Sequence, residues 1–519
     1  LLESAETLSL IYSFDISNEN NELLALGRIS GIESKTLYRH QAELLRRHIA
    51  QKRGNWRAVL PHAISNKLAR RAFENLPISQ INSELFKEEN ERLFMSCAHR
   101  ISYLHDSLEA QGLAKSWIQE DAPLYNPSTY SPIHLKCFSY IATIIPQAAL
   151  SILEQACQNA EFASRNNPNF NQFVGLLRQL AYDDEYFNRA ANLLLKFAET
   201  EKHGERNNSI VNWIENLFSL YLSGTEATPS KRQAFIRDLF QSSNPRYYEI
   251  AKVLLNKALQ TSSWHSFGSF EFGARKRGMG WQPSNQEEWR DWYSGLIDIL
   301  QELLQSDDTV HIDIAKQLIV SNFNGLWISS GCCSKLEDIV RNYARDGVWP
   351  KLWKEIKSTI DNLTGESNSK SLIRLEILEK IAVPKDINTE IHAYIFSNTW
   401  DHIIYGGNES PSEHRKEIIA KVKSLGEEAA QDTSLIKGLG IDLWQERFDS
   451  FIHFGEGLAL GSSNLVETFK YLINLIQTMP VESLNSSVLH GFIKQVYEND
   501  PNLARIMQES ALEISNLEE

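Results

Sequence analysis

The sequence predicts an almost wholly α-helical protein: a winged-helix-like module with a short β-hairpin at the start, followed by an irregular HEAT- or TPR-like α-solenoid. Three observations predict it. From about Asn82 onward the apolar residues recur almost only at helical spacing. A seam motif repeats, as Ala149-x-x-Ile152-Leu153, Ala191-x-x-Leu194-Leu195, Ala251-x-x-Leu254-Leu255 and Ala315-x-x-Leu318-Ile319. One early stretch, Gln51–Leu60, abandons the helical period and turns at Gly54-Asn55, a hairpin signal.

In chain order, Ala5–Tyr12 has the pattern of a helix end, and Glu22–Ile29 that of a second helix stopped by Gly31. Glu33–Ile49 predicts an amphipathic third helix with Leu37, Ala42, Leu45 and Ile49 as its apolar face. After the hairpin, Pro61 suits a helix start, with Ile64, Leu68 and Phe73 as the buried stripe. Leu85–Leu104 predicts one long helix, and Ser107 caps the next, through Ile118. Asp121–Pro132 is rich in Pro, Ser and Asn and predicts a loop.

In the seam motif the small Ala permits close helix approach and the two aliphatic residues pack. The first two copies lie 42 residues apart, a HEAT or armadillo period, and later copies lie farther apart. Residues 262–283 break this texture with an aromatic, glycine-rich and basic segment too long for a simple connection. Helices resume after Glu287, with turn signals at Gly331, Gly347–Pro350, Gly365–Ser369, Pro384–Asn388 and Gly406–Pro411. An aromatic cluster at Trp444, Phe448, Phe451 and Phe454 marks the tail.

The 519 residues are 42% apolar and 23% charged, ample for a sizeable core. A net charge of -14 argues against a whole-chain affinity for nucleic acid or anionic membrane. Five cysteines without framework spacing suit a reducing, cytoplasmic setting, and no run of about 18 apolar residues predicts a membrane span. The chain opens Leu1-Leu2-Glu3, without Met, directly into a helical pattern, and reads as a piece of a longer protein.

Catalytic signatures are not found. Gly273-Ala-Arg-Lys-Arg-Gly278 has phosphate-loop glycine spacing but lacks the following Lys-Ser/Thr. There is no dinucleotide fingerprint, nucleophile elbow, His-Glu-x-x-His or Cys-x-x-Cys. His99 and His105 share the long predicted helix without a third ligand, and Cys332-Cys333 suits packing better than metal binding. Neither enzymatic activity nor a bound cofactor or metal is expected within these residues.

Two basic patches and one histidine remain. Arg39, Arg46, Arg47, Lys52, Arg53 and Arg57 load the third helix and hairpin with positive charge, fit for a nucleic-acid backbone or an acidic neighbouring domain. Arg275, Lys276 and Arg277, with Trp281, would serve a partner surface or a loop packed on the helices. His62 follows a wing strand and lies in the first turn of a helix, where N–H groups attract phosphate.

Trp56-Arg-Ala-Val-Leu-Pro-His62-Ala-Ile-Ser-Asn-Lys-Leu-Ala69 resembles the end of the winged-helix domain in STAND NTPases, the NACHT and NB-ARC class. In many of these a Met-His-Asp motif follows the wing, and its His contacts the β-phosphate of bound ADP. His62 matches that His, while Pro61 and Ala63 replace the Met and Asp. Arg100-Ile-Ser-Tyr-Leu-His-Asp-Ser107 and Phe272-Gly-Ala-Arg-Lys-Arg-Gly-Met-Gly-Trp281 resemble bacterial members that include antiphage defence proteins. The resemblance implies a fragment C-terminal to the nucleotide-binding domain, with ATP or ADP held upstream and a helical sensor for a protein target, such as a viral one. It also implies that target binding releases the ADP-held state and drives homo-oligomerisation and an upstream effector.

The expected division is a winged-helix-like domain (1–82), a helical linker (83–132), a helical repeat domain (133–385) and a C-terminal sensor-like region (386–519). The alternatives are a DNA-binding transcriptional regulator with a helical ligand-binding domain, and a helical protein-binding scaffold without a switch.

Overall fold

The computed structural model describes residues 1–17, 22–202, 205, 209–265, 271–363, 369–399, 410–439, 442–477 and 484–513. The turn signals at 365–368 and 406–409, and residues 266–270 of the aromatic segment, lie outside them. As the sequence predicts, the protein is predominantly α-helical, and its named strands form one small sheet. None of the described helices is long and apolar enough to cross a membrane. The chain divides into two compact units, Leu1–Glu288 and Trp289–Glu519, a coarser division than the four expected segments.

The first unit opens with α1 (Leu2–Ser9), β1 (Phe14–Asp15), α2 (Glu22–Ser30), α3 (Ser34–Arg46), β2 (Ala50–Arg53), β3 (Trp56–Val59) and α4 (His62–Asn75). The strands pair antiparallel in the order β1-β3-β2, with Phe14 opposite Arg57 and Ala50 opposite Val59. The hairpin turns at Gly54, whose φ of 59° suits a residue without Cβ. These elements place three helices, a small antiparallel sheet with the expected hairpin, and a following helix at the start of the first unit.

Four local expectations are corrected. Strand β1 was not expected; two residues are too short for an alternating pattern to show. The first helix ends at Ser9, which frees Tyr12 from it. In α3 the buried positions are Leu37, Gln41 and Leu44, one helical face, while Ala42, Leu45 and Ile49 lie only partly covered. In α4 small residues, Ser65, Ala69 and Ala72, join Phe73 against the neighbouring helices, and Ile64 is 44% exposed. Close helix approach favours small side chains at the contact.

The helix predicted over 85–104 is shorter: α5 (Ile78–Leu85) ends where it should begin, a 3-10 turn follows at Glu88–Asn90, and α6 covers Glu91–Ile101. The break is fixed by Asn90, whose side-chain amide donates to the Glu84 carbonyl at 2.8 Å and satisfies an end of α5. Next comes α7 (Leu108–Ser116), capped as expected by Ser107, which accepts from the Ala110 N–H at 3.2 Å.

The rest of the first unit comprises α8 (Pro132–Ala142), α9 (Pro146–Ala156), α10 (Phe170–Leu180), α11 (Phe187–Glu199), α12 (Ile210–Glu215), α13 (Pro229–Phe240) and α14 (Pro245–Leu259). Neighbours in sequence pack in pairs, α10 on α11 and α13 on α14. The seam residues Ala191, Leu194, Leu195, Ala251, Leu254 and Leu255 are all buried. Burying each such aliphatic side chain contributes about 1.5–3 kcal/mol before ordering entropy is counted.

The second unit contains most of α15 (Gln286–Leu304), then α16 (Thr309–Ser329), α17 (Cys333–Tyr343), α18 (Pro350–Leu363), α19 (Ser369–Ala382) and α20 (Ile387–Ile395). It continues with α21 (Pro411–Gln431), α22 (Thr433–Gly438), α23 (Asp442–Gln445), α24 (Ser450–Gly461), α25 (Leu465–Gln477), α26 (Ser487–Asn499) and α27 (Pro501–Leu512). The seam residues Ala315, Leu318 and Ile319 are buried here, as is the aromatic group of Trp444, Phe451 and Phe454. Helix α24 lies between α21 and α26 at backbone distance: a Cβ on Gly457 would collide with the Lys423 carbonyl, and one on Gly455 with that of Val488. Glu456 sits between those glycines, buried, and pairs with Lys423 at 2.9 Å and Lys494 at 2.5 Å.

Candidate functional site

His62 is the first residue of α4, directly after the hairpin strand β3 and Leu60-Pro61. The Ile64 and Ser65 N–H groups donate to the Pro61 carbonyl at 2.9 and 3.1 Å, so the His62 and Ala63 N–H groups stand at the open helix end. The imidazole is surface-exposed along one side and stacked along the other.

Its neighbours come from distant parts of the chain. Tyr12, just before β1, is pinned to α6 by a bond from its N–H to the Ser96 carbonyl at 3.0 Å. The Ser13 N–H donates to Ser96 Oγ at 3.0 Å, and that hydroxyl donates back to the Ser13 carbonyl at 2.6 Å. This places the Tyr12 ring 5.1 Å from that of His62 and 3.8 Å from that of His99. His99 stacks in turn on Tyr140 of α8 at 4.4 Å, and Tyr103 lies 6.3 Å from His62. The Tyr12 hydroxyl is 3.4 Å from His62 Nε2, a long contact.

Beneath the stack lies Arg100, fully buried. Its guanidinium sits 5.4 Å from the Tyr12 ring centre, donates to Asn66 Oδ1 at 2.7 Å and reaches the Ile11 carbonyl at 3.4 Å. Among the described residues no carboxylate pairs with it. Burial, followed by the Arg100 charge, lowers the His62 pKa from its ordinary value. The same causes, with Lys136 and His62, bring His99 down to about 4. Both rings are therefore neutral at pH 7, and a neutral imidazole offers one N–H donor and one acceptor.

The sequence singled out His62 but not the rings that hold it. His99 was set aside as sharing a helix with His105; the helix ends at Ile101, which separates them. The run Arg100–Ser107, which includes Tyr103, already carried part of the resemblance, and that was the available signal for this cluster.

The basic residues of the module are only partly free. Arg46 and Arg47 both bond Glu43, each at 2.7 Å, and Arg57 donates to the Gly54 and Trp56 carbonyls at 2.6 and 2.9 Å. Arg39, Lys52 and Arg53 are exposed.

The segment expected as a partner surface or a packed loop contributes much of its charge to packing. Arg277 donates to the Gln179 carbonyl and to Asp183, both at 2.8 Å, and lies over the rings of Tyr182 (4.4 Å) and Phe272 (4.2 Å). Arg275 Nε donates to the Thr143 carbonyl at 2.7 Å. Trp281 packs its ring against buried Arg232, 5.3 Å from the guanidinium, and the Trp281 backbone N–H donates to the Thr225 carbonyl at 2.7 Å. Lys276 is exposed. The strap thus ties α8, α10 and the turn before α13 together.

No family model matches the chain, and no curated protein matches it. Among solved structures, the crystal structure of Kap121p aligns with 98% of this chain and 53% of its own, at 11% identity and a TM-score of 0.24. A circular tandem repeat protein with novel repeat topology aligns with 95% of this chain and 84% of its own, at 14% identity and a TM-score of 0.18. The chain therefore spans about half the length of Kap121p. At such values neither likeness carries an argument about function.

Proposed function

We propose that this chain is a protein-binding helical scaffold and, within that class, the regulatory and target-sensing portion of a STAND NTPase of the antiviral defence type. The observation that carries the reading is His62: a neutral, half-stacked imidazole at the open N-terminal end of α4, immediately after the wing. A phosphate presented there meets one imidazole N–H and free helix N–H groups, both suited to anionic oxygen. The nucleotide, ADP in the resting state, would be held by an NTPase domain outside this chain.

The mechanism is a two-state switch. His62 stabilises the ADP-bound state, a protein target bound by the helices stabilises the open state, and the two are coupled through the module. In the open state the protein self-associates and engages an effector outside this chain. Losing one hydrogen bond to a charged group is worth about 1.5–3 kcal/mol, enough to change nucleotide retention by roughly tenfold or more. The test is His62→Ala in the full-length protein: nucleotide released by heat should fall from near one ADP per chain, and basal effector activity should rise. Unchanged ADP content would refute the role.

DNA binding through Arg39, Lys52 and Arg53 is the second reading, favoured by their exposure on α3 and the wing. It requires duplex affinity that falls steeply with salt, and no binding at low salt removes it.

A further inference from the structure

The second unit carries a cleft of about 820 Å³ between one face of α16, the turn that opens α18, one face of α20 and the segment at α23. This is the volume of a pocket that takes a few side chains or a small ligand. Its apolar lining is Val320, Val348, Trp349 and Phe396. Trp349 is 5% exposed and forms part of the wall, whereas Val348 is 64% exposed and projects beside it. The turn that presents them is fixed in place: Gly347, at φ 79°, presses against Pro384, and Asp346 is paired with Lys385.

The charges around this lining are unequal. Asp313, Asp442 and Glu446 line the cleft with no salt bridge to a lysine or arginine among the described residues, and Asp442 acts electrostatically on His392 in the same lining. Two lysines oppose them. The Lys316 ammonium is drawn over the Trp349 ring, 6.0 Å from its centre, and Lys351 stands at the start of α18. The His392 ring stacks on Phe396 at 5.4 Å. An anionic ligand would face more carboxylates than ammonium groups, while a cation would meet unpaired carboxylates beside an apolar wall.

We infer that this cleft docks a segment of a partner protein carrying a bulky apolar side chain next to an arginine or lysine. The apolar side chain packs against Val348 and Trp349, and the cation reaches Asp442 and Glu446. Indole and guanidinium are the groups that most often anchor such interfaces. The inference rests on the scaffold reading only in taking the ligand to be a protein; neither His62 nor a nucleotide enters its test.

The probes are N-acetyl-tryptophanyl-arginine amide and N-acetyl-tryptophanyl-glutamate amide, titrated against the intact chain by saturation-transfer NMR. The wild type should bind the arginine probe at least fivefold more tightly than the glutamate probe. D442K/E446K, at two exposed positions, should abolish or invert that preference. V348D should weaken the arginine probe by at least threefold, with helical content unchanged by circular dichroism. No transfer to either probe, equal affinity for both, an unchanged preference in D442K/E446K, or unaltered affinity in V348D would each overturn the inference. If the cleft fails while His62→Ala still changes ADP retention, the cleft alone is wrong.

Discussion

Replacing Arg277 by Ala removes the centre of the strap that crosses the first unit. Its side chain is 3% exposed and is held by two charge-assisted hydrogen bonds, to the Gln179 carbonyl and to Asp183, and by the faces of Tyr182 and Phe272. Each such bond is worth about 1.5–3 kcal/mol and each ring contact about 0.5–2 kcal/mol. Two effects reduce the sum. Burial lowers the Arg277 pKa, which records a desolvation cost, and its Nε finds no acceptor among the described residues. Asp183, partly exposed, can return to water. We therefore expect a net loss of about 3 kcal/mol, concentrated in the strap. Amide hydrogen exchange reads this locally. The N–H groups of Gly224, Gly278 and Trp281, bonded to the Met279 carbonyl (2.9 Å), the Tyr182 hydroxyl (2.8 Å) and the Thr225 carbonyl (2.7 Å), should lose protection together. The expected acceleration is roughly a hundredfold. Arg277→Lys, which keeps the charge but not the fork, should fall between the two. Exchange unchanged within a factor of two in Arg277→Ala would refute the packing argument and return Arg277 to the role of a partner-facing residue.

Three further outcomes follow from the same structure. His99, with its pKa near 4 against an ordinary 6.5, takes up a proton more readily unfolded than folded. Stability is therefore full above about pH 6.5 and declines as the pH falls towards 4, by about 1–2 kcal/mol after discounting for the partly exposed ring. His99→Phe, which keeps a ring in the stack, should flatten urea midpoints across that window; an unaltered slope contradicts the assignment. Gly457→Ala drives a methyl group into the Lys423 carbonyl and should cost about 1–3 kcal/mol or more, read as a lowered thermal midpoint for the second unit, whereas a neutral result would show that α21 and α24 can separate freely. Burial pushes the Glu456 pKa up, but hydrogen bonds from His453, Lys494 and Lys423 outweigh it and hold the group at about 2. Its stabilising contribution is present above about pH 4.5 and is lost as the pH falls towards 2, and Glu456→Gln should remove that acid dependence.

What could be read from the sequence was what neighbouring residues specify. The Gly54-Asn55 turn, the Ser107 cap and the Ala-aliphatic seams are local codes; the structure keeps the turn and the cap and buries the seam residues except Ile152, which is partly covered. The setting of His62, after a hairpin strand and at a helix start, was legible for the same reason. The rings around it were not, because Tyr12 and His62 are 50 positions apart and meet only once the Tyr12–Ser13 backbone is tied to Ser96. Arg277 is similar: a basic residue in a glycine-rich loop gives no sign of acceptors 98 and 94 positions away. On α4 residue size points to Ile64 and Leu68 as the buried face, whereas close helix approach selects Ser65, Ala69 and Ala72.

The proposed nucleotide-sensing role of His62 is tested most directly by the structure of the full-length protein purified with bound ADP. An imidazole nitrogen of His62 is expected within about 2.7–3.2 Å of a β-phosphate oxygen, with the Tyr12 ring still stacked behind it. A bound ADP whose phosphates lie well beyond hydrogen-bond reach of His62, with the imidazole turned to solvent, would contradict it.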